Sequence, residues 1–266
     1  MEFHGRTILV TGASEGIGRA LALSLAVEQP NLVLAARAAP RLDTLAAECR
    51  ARGAQALPVA VDVTDRSACE ALVATAVARF GRLDVLVANA GGTMWSRFDE
   101  LQDLGVFEQL LRLNLLANVW LTAAALPHLV RVRGLIVPVA SVAGLTGVPG
   151  RTAYAASKHA VVGFYESLRI EVADSGVDVT LVAPDFVRSE IHKRALGPDG
   201  RALGTSPLDG RRIMSAEDCA RRIHRAMARR QRLLITSLRG RAGRVLKIVA
   251  PRLVDRIVRR AMRTGR

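Results

Sequence analysis

Cysteine is scarce in this chain: three in 266 residues, Cys49, Cys69 and Cys219, far apart and forming no CxxC pair. Such spacing supports neither a zinc ligand set nor a disulfide framework, so the three read as small buried hydrophobes and no metal is expected. No uninterrupted apolar run approaches the roughly 18 to 20 residues that a spanning helix requires. Ahead of Arg6 there is no basic, apolar and small-residue succession of the secretory kind, because the first apolar run already reads as a strand. A cytoplasmic protein is the expectation. Internal repeats and linkers rich in Pro, Gly or Ser are also lacking. Half the residues are hydrophobic and 23% are charged, which excludes a disordered chain, and the length suits one α/β domain with at most a short appendage.

Lysine is rarer than the charge suggests. Only Lys158, Lys193 and Lys247 are lysines among 38 basic residues; the rest are arginine, a bias that GC-rich coding can produce on its own. The formal charge is +14, but +9 of it lies between Ser237 and Arg266, where ten Lys or Arg face the single acid Asp255. The remainder holds 28 basic against 23 acidic residues, or +5. An excess confined to one end is a tail property, and no nucleic-acid partner is expected.

What the sequence does contain is alternation. Apolar β-branched runs at Thr7–Val10, Leu32–Ala36, Ala56–Val61, Leu83–Ala88, Leu135–Ala140, Val177–Ala183 and Leu233–Thr236 are separated by helix-period segments beginning near Gly16, Pro40, Asp65, Leu101, Arg151 and Ala216. This predicts an α/β fold built on a single doubly wound parallel sheet, the Rossmann arrangement. We place a catalytic domain at 1–236 and a basic helical extension at 237–266. The stretch from Phe186 to Gly210, punctuated by Gly197, Pro198, Gly200, Gly204 and Pro207, leaves the carboxyl end of a strand, where ligands of open α/β sheets lie; it is a candidate substrate lid.

Between the first strand and its helix stands Thr11-Gly12-Ala13-Ser14-Glu15-Gly16-Ile17-Gly18. Gly12 permits the tight turn, Gly16 lets the backbone approach a pyrophosphate, Gly18 lets helix and strand pack closely, and the helix N-terminus offers free N–H groups to the anion. At the end of the second strand an NAD-selective site would carry a carboxylate for the ribose hydroxyls. Here the place reads Ala36-Arg37, which suits the 2'-phosphate of NADP instead, so NADP(H) is favoured over NAD(H). Arg37 as a solvated charge is the alternative, and Glu15 is an acid where a base would help. Asp62 and Val63 end the third strand, where Asp62 either accepts the adenine amino hydrogens or is a satisfied turn carboxylate. Asn89-Ala90-Gly91 ends the fourth, as a cofactor-side segment or as a turn.

Ser141, Tyr154 and Lys158 form the decisive set, with Tyr154 and Lys158 spaced i, i+4 on one helix face. A phenol titrates near 10. A nearby ammonium, together with the positive nicotinamide of an oxidised cofactor, stabilises phenolate and makes the group a usable acid-base catalyst. Ser141 at a strand end can hold the substrate oxygen beside it.

With these residues in place the chain resembles the short-chain dehydrogenase/reductase family over about Gly5 to Thr236. Thr11–Gly18 matches that family's glycine-rich segment, Asn89-Ala90-Gly91 its sheet-stabilising motif, and Ser141 with Tyr154-Ala155-Ala156-Ser157-Lys158 its catalytic motif. The resemblance implies that Asn114 holds the lysine through a water, with Asn118 as the alternative. It also implies that Pro184-Asp185-Phe186-Val187-Arg188-Ser189 corresponds to a Pro-Gly segment that grips the nicotinamide, Val187 supplying backbone and Ser189 a hydroxyl. Asp185 departs from the usual glycine and leaves its role open. Tyr154 would protonate a carbonyl oxygen, Ser141 orient the substrate, and Lys158 bind the nicotinamide ribose. A homodimer or homotetramer is implied as well.

The expected substrate walls, Gly92–Trp95, Val142–Pro149 and Phe186–Leu196, are largely apolar, which suggests a small hydrophobic carbonyl or alcohol, lipid-like in the reading that fits the tail. His192 is read as a lid surface residue. The loop and tail are more loosely similar to the 11β-hydroxysteroid dehydrogenase-like branch. From Val245 to Met262 apolar residues recur at helical spacing with arginines opposite and Pro251 as a kink or division. That amphipathic helix packs on its own domain or a sister subunit, or adheres to the inner face of an anionic membrane. Two rival functions are a 3-oxoacyl-[acyl-carrier-protein]-type reductase and a non-catalytic NADP-binding sensor or scaffold.

Overall fold

The structure is a computed structural model that describes residues 2–208 and 213–263, with the side chains of 261–263 left aside. Six parallel strands form the central sheet: β1 (Thr7–Thr11), β2 (Asn31–Ala36), β3 (Gln55–Ala60), β4 (Val85–Ala88), β5 (Leu135–Pro138) and β6 (Asp178–Val179), in the order β3-β2-β1-β4-β5-β6. A parallel pair, β7 (Leu181–Ala183) and β8 (Leu233–Ile235), continues it. The interruption between β6 and β7 has a chemical cause. Ile136 lies opposite Val179 and Val139 opposite Val182, so the register never slips. Thr180 N donates to Ile136 O at 2.9 Å and Ala140 N to Val182 O at 2.8 Å. The donor between them would be the amide of residue 138, and Pro138 has none.

β1, β4 and β5 are buried along their whole length, as a sheet covered on both faces requires. On one face α1 (Gly16–Ala26), α2 (Ala39–Arg50) and α7 (Ala216–Ala228) pack Leu21, Leu42 and Ile223 against Ile8, Leu32 and Val85. On the other, α3 (Arg66–Phe80), α5 (Ala117–Val132) and α6 (Thr152–Glu171) pack Leu72, Leu121 and Tyr165 against Leu9, Val33 and Ile136. Strand order reverses between β1 and β4, and at such a switch point the carboxyl ends of the strands open into a crevice.

Two elements differ from the expected ones. The helix expected near Leu101 begins at Gly105, as α4 (Gly105–Leu111), because Asp103 Oδ1 accepts the Gly105 amide at 2.8 Å while Gln102 N and Asp103 N donate to Pro198 O across the lid loop. Between α4 and α5 a π-helical turn, Arg112–Leu116, joins the two into one helical stretch. Residues 105–132 then reach the length and mean hydropathy of a membrane-spanning helix. This stretch is nevertheless a core helix, with Leu121, Ala125 and Leu129 buried in the second face and Asn114 and Asn118 buried in polar contacts. After β8 the chain forms α8 (Leu238–Val249) and α9 (Pro251–Arg263); Pro251 divides the tail, and residues 264–266 of the expected extension lie outside the described residues.

Candidate active site

A groove follows the carboxyl ends of the strands, from Arg37 and Arg41 at one end, past the Thr11–Gly18 turn, to Tyr154 and His192 at the other. Every residue given a catalytic or cofactor-binding role from sequence lines it except Gly18 and Asn114, which are buried.

The turn after β1 is shaped by close approach. Gly12 has φ +62°, and a Cβ there would meet Asn89 Nδ2 at 2.9 Å; a Cβ on Gly18 would stand 2.3 Å from Gly12 O. Asn89 ties this turn to the end of β4, its Nδ2 donating to Thr11 O at 2.9 Å and Gly12 O at 3.2 Å. Glu15 precedes α1 in extended conformation, and no side chain caps the helix. The first-turn N–H groups are thus left to the groove, a cradle for a pyrophosphate.

At the adenosine end β2 stops in Ala36-Arg37 with no carboxylate. Arg37 is exposed, and no acid pairs with it among the described residues. Glu15 has a specific occupation: Arg41 Nη1 donates to Oε2 at 2.9 Å, and Arg194 of the lid loop clasps the same carboxylate. Arg41 escaped the sequence reading, although its position four residues beyond Arg37 on the opening turn of α2 was visible. Asp62, which lines the groove, accepts from Thr64 N at 2.9 Å and Thr64 Oγ1 at 2.8 Å, both at Oδ1. The Thr64 amide, more than any other partner, holds this carboxyl below its ordinary pKa.

At the other end β5 and α6 bring Ser141, Tyr154 and Lys158 to one wall. Ser141 Oγ accepts from Ala143 N at 3.2 Å and lies 3.4 Å from Pro184 O. Tyr154 is buried, and its hydroxyl makes no hydrogen bond among the described residues. Lys158 Nζ is 5.9 Å from the centre of the Tyr154 ring and donates to Val139 O at 2.9 Å. Burial pushes its pKa down to about 8. Asn114, on the π-helical turn, accepts from Gly92 N at 2.8 Å and donates to Ser157 Oγ at 2.8 Å, which fixes the β4 end against α6 just behind Lys158. Asn118 is occupied elsewhere, accepting from Tyr165 OH at 3.0 Å in the core.

The segment after β7 closes the groove. Leu196 N donates to Thr93 O and Trp95 N to Leu196 O, so the candidate lid is laced to the strand-4 loop; its last two residues, Asp209 and Gly210, lie outside the described set. Ser189 abuts Gly16, and Val187 lines the groove. His192 corrects the sequence reading. It is not a surface residue but buried, with Nε2 3.1 Å from Val187 O and Nδ1 without a partner among the described residues, because the short turn Glu190–His192 folds it beneath the loop. Burial lowers its pKa. Asp185, in the place where glycine was expected, is an anchor: its carboxylate accepts from Arg239 Nη2 at 2.8 Å and Ser237 Oγ at 2.7 Å. Burial alone would raise its pKa, and those hydrogen bonds outweigh it and hold the group below its ordinary value.

Arg151, just before α6, is the largest omission of the sequence reading. Its guanidinium lies 4.6 Å from the Tyr154 ring centre, 5.2 Å from that of Trp95 and 5.5 Å from that of Phe186. A lone arginine three residues before the tyrosine, in a segment otherwise apolar, was the available signal.

Comparison with known proteins agrees with this geometry. A family model described as short chain dehydrogenase matches residues 6–197. The 11-beta-hydroxysteroid dehydrogenase of Pinus massoniana is 32% identical over 266 residues, 96% of this chain and 73% of that protein. The 11-beta-hydroxysteroid dehydrogenase 1A of Arabidopsis thaliana is 32% identical over 262 residues, 95% of this chain and 74% of that one. A short chain dehydrogenase/reductase from Burkholderia phymatum, solved in complex with NAD, superposes with a TM-score of 0.83 at 27% identity, covering 95% of this chain and 96% of its own.

Proposed function

This chain belongs to the short-chain dehydrogenase/reductase family and is an NAD(P)-dependent oxidoreductase, and from that premise we propose that it uses NADP(H) to reduce a carbonyl on a hydrophobic compound, or to oxidise the matching alcohol. One observation carries the reading: a Tyr154 hydroxyl with no hydrogen-bond partner among the described residues, next to a buried ammonium and Ser141, at the far end of a groove whose other end carries Arg37 and no β2 carboxylate. The residues present fit a phosphorylated dinucleotide. The glycine turn is packed so closely on itself and on Asn89 that a Cβ at Gly12 or Gly18 would force it out of shape, the uncapped α1 N-terminus suits a pyrophosphate, and Arg37 suits a 2'-phosphate.

A reduced nicotinamide, if bound there, would supply the hydride. Tyr154 gives its phenolic proton to the carbonyl oxygen, and Ser141 donates a hydrogen bond to that oxygen and holds it beside the phenol. Lys158, kept in place by Val139 O, favours the phenolate that remains, and Asn114 keeps the wall behind it from shifting. For oxidation the same residues act in reverse.

Leu238, Val245, Ile248 and Val249 of α8 stand 80, 59, 76 and 71% exposed on a basic helix held beside the groove by the Arg239–Asp185 pair. That face supports contact with an anionic membrane surface, the place where a lipid-like substrate would be met. The decisive experiment is a panel of ketones, aldehydes and alcohols run with NADPH, NADH, NADP and NAD. Turnover of apolar carbonyls with NADPH is expected, and no oxidation of either reduced dinucleotide by any carbonyl would refute the reading. Co-sedimentation with anionic liposomes, full chain against one ending at Gly240, tests the tail; equal binding by both would refute the membrane contact.

A further inference from the structure

Arg151 is 6% exposed, yet it has no counter-ion among the described residues. Among the described residues no carboxylate lies within 4.0 Å of it; its Nη2 donates to Thr93 Oγ1 and its Nε to Met94 O at 3.3 Å, while Nη1 donates to no protein group. Three aromatic faces, those of Tyr154, Trp95 and Phe186, surround the guanidinium. Such faces attract a cation but do not neutralise it. Burying an unpaired charge costs several kcal/mol, and proteins retain such a group where something else completes it. The carboxylate on this side of the groove, Asp185, is already committed to Arg239 and Ser237. Since arginine stays protonated, the deficit is a fixed positive charge one ring away from the reacting phenol.

We infer that Arg151 selects the substrate: the carbonyl compound carries an anionic group, a carboxylate being the simplest, a short carbon chain away from the reacting carbon, and that group pairs with the guanidinium when the carbonyl oxygen lies at Tyr154 and Ser141. The substrate is then an apolar body with an acidic head. His192 Nδ1, buried without a partner beside Phe186, adds a hydrogen-bond acceptor that a hydroxyl on the same molecule can use. This rests on the reductase reading above and narrows it.

The test uses the full-length enzyme and NADPH, with a series of straight-chain oxo-acids of increasing length set against their methyl esters. A bond to a charged partner in a buried site contributes about 1.5 to 3 kcal/mol, so kcat/KM for the acid that fits is expected to exceed that for its ester by about 10- to 100-fold. In Arg151→Met the acid-to-ester ratio falls to near one, and Arg151→Lys restores part of it; melting curves and NADPH titration of both variants establish that they are folded. Because the ratio is first read in the wild type, the proposal does not depend on the variants. Esters turned over as well as acids at every length, or an unchanged ratio in folded Arg151→Met, would overturn it while leaving the reductase intact. Failure of every acid and ester alike, with NADPH and NADH, would overturn both.

Discussion

Replacing Lys158 by methionine should make the protein more stable and less active. Lys158 is 5% exposed, its protein acceptor is Val139 O at 2.9 Å, and burial lowers its pKa from 10.5 to about 8. The gap between those two values, at roughly 1.4 kcal/mol per pH unit, amounts to about 3 kcal/mol charged against the fold. The sign follows from proton counting. A group whose folded pKa lies below its unfolded one binds fewer protons in the native state, so the penalty is complete below about pH 8 and fades as pH rises toward 10.5. Methionine keeps the length and apolar stem but loses the bond to Val139 O, at a cost of about 1 kcal/mol. The net gain at pH 7 is then about 2 kcal/mol, which for a chain of this size raises the melting temperature by roughly 4 to 8 °C. Melting of wild type and Lys158→Met by circular dichroism at pH 7 and pH 10 checks this. A variant that melts below wild type at pH 7, or a difference that does not shrink at pH 10, would refute the reasoning. Turnover must fall in the same variant, since the charge that destabilises the fold is the one that favours the phenolate.

In Tyr154→Phe turnover should drop by about 100- to 10,000-fold while fluorescence titration still shows NADPH binding, because only the phenolic proton is removed; a wild-type rate would end the mechanism. In wild type the rate of carbonyl reduction should decline as pH rises through about 8, where Lys158 loses its proton, and a flat profile from pH 7 to 10 would argue against it. Arg37→Asp should lower the ratio of kcat/KM for NADPH to that for NADH by about 10- to 100-fold through loss of a charged hydrogen bond to the 2'-phosphate and repulsion of it; an unchanged ratio would place that phosphate elsewhere. Gly18→Ala puts a Cβ 2.3 Å from Gly12 O and should destabilise the chain by about 1 to 3 kcal/mol and weaken dinucleotide binding, as melting and titration would show.

The parts of the fold legible in sequence were those set by local pattern. Strands buried on both faces read as unbroken apolar runs, and the helix between two such strands had to be a crossover, so the doubly wound parallel sheet followed, whereas its strand order came from the structure. The start of α4 was not legible, because the competing bonds to Pro198 come from a loop almost a hundred residues away. The division of β6 from β7 was written in Pro138, although its effect depends on which strand lies opposite. The same distinction runs through the site. Ser141, Tyr154 and Lys158 announced themselves by type and spacing, whereas Arg41 and His192 owe their surroundings to long-range packing: Arg41 to Glu15 across the glycine turn, His192 to a three-residue turn that buries it.

Asp185 and Arg151 are two sides of one charge balance. Where a glycine would leave only backbone after β7, this chain places a carboxylate, and Arg239, the second residue of α8, takes both of its oxygens. The pair fixes the start of the tail at the mouth of the groove, and Lys247 Nζ, donating to Leu145 O at 3.1 Å, fixes it a second time two turns later. The departure from the expected segment and the presence of the extension are therefore one structural feature, since without α8 the Asp185 carboxylate would be a partly buried acid holding only Ser237 Oγ and the Phe186 amide. The same commitment explains why Arg151 stands alone. Arg239 and Arg151 both lie over the Phe186 ring, at 5.9 and 5.5 Å, and the neighbouring carboxylate of Asp185 serves the first. The positive charge left over lies 4.6 Å from the centre of the Tyr154 ring, so the way the tail is anchored bears on the charge that stands behind the reacting phenol.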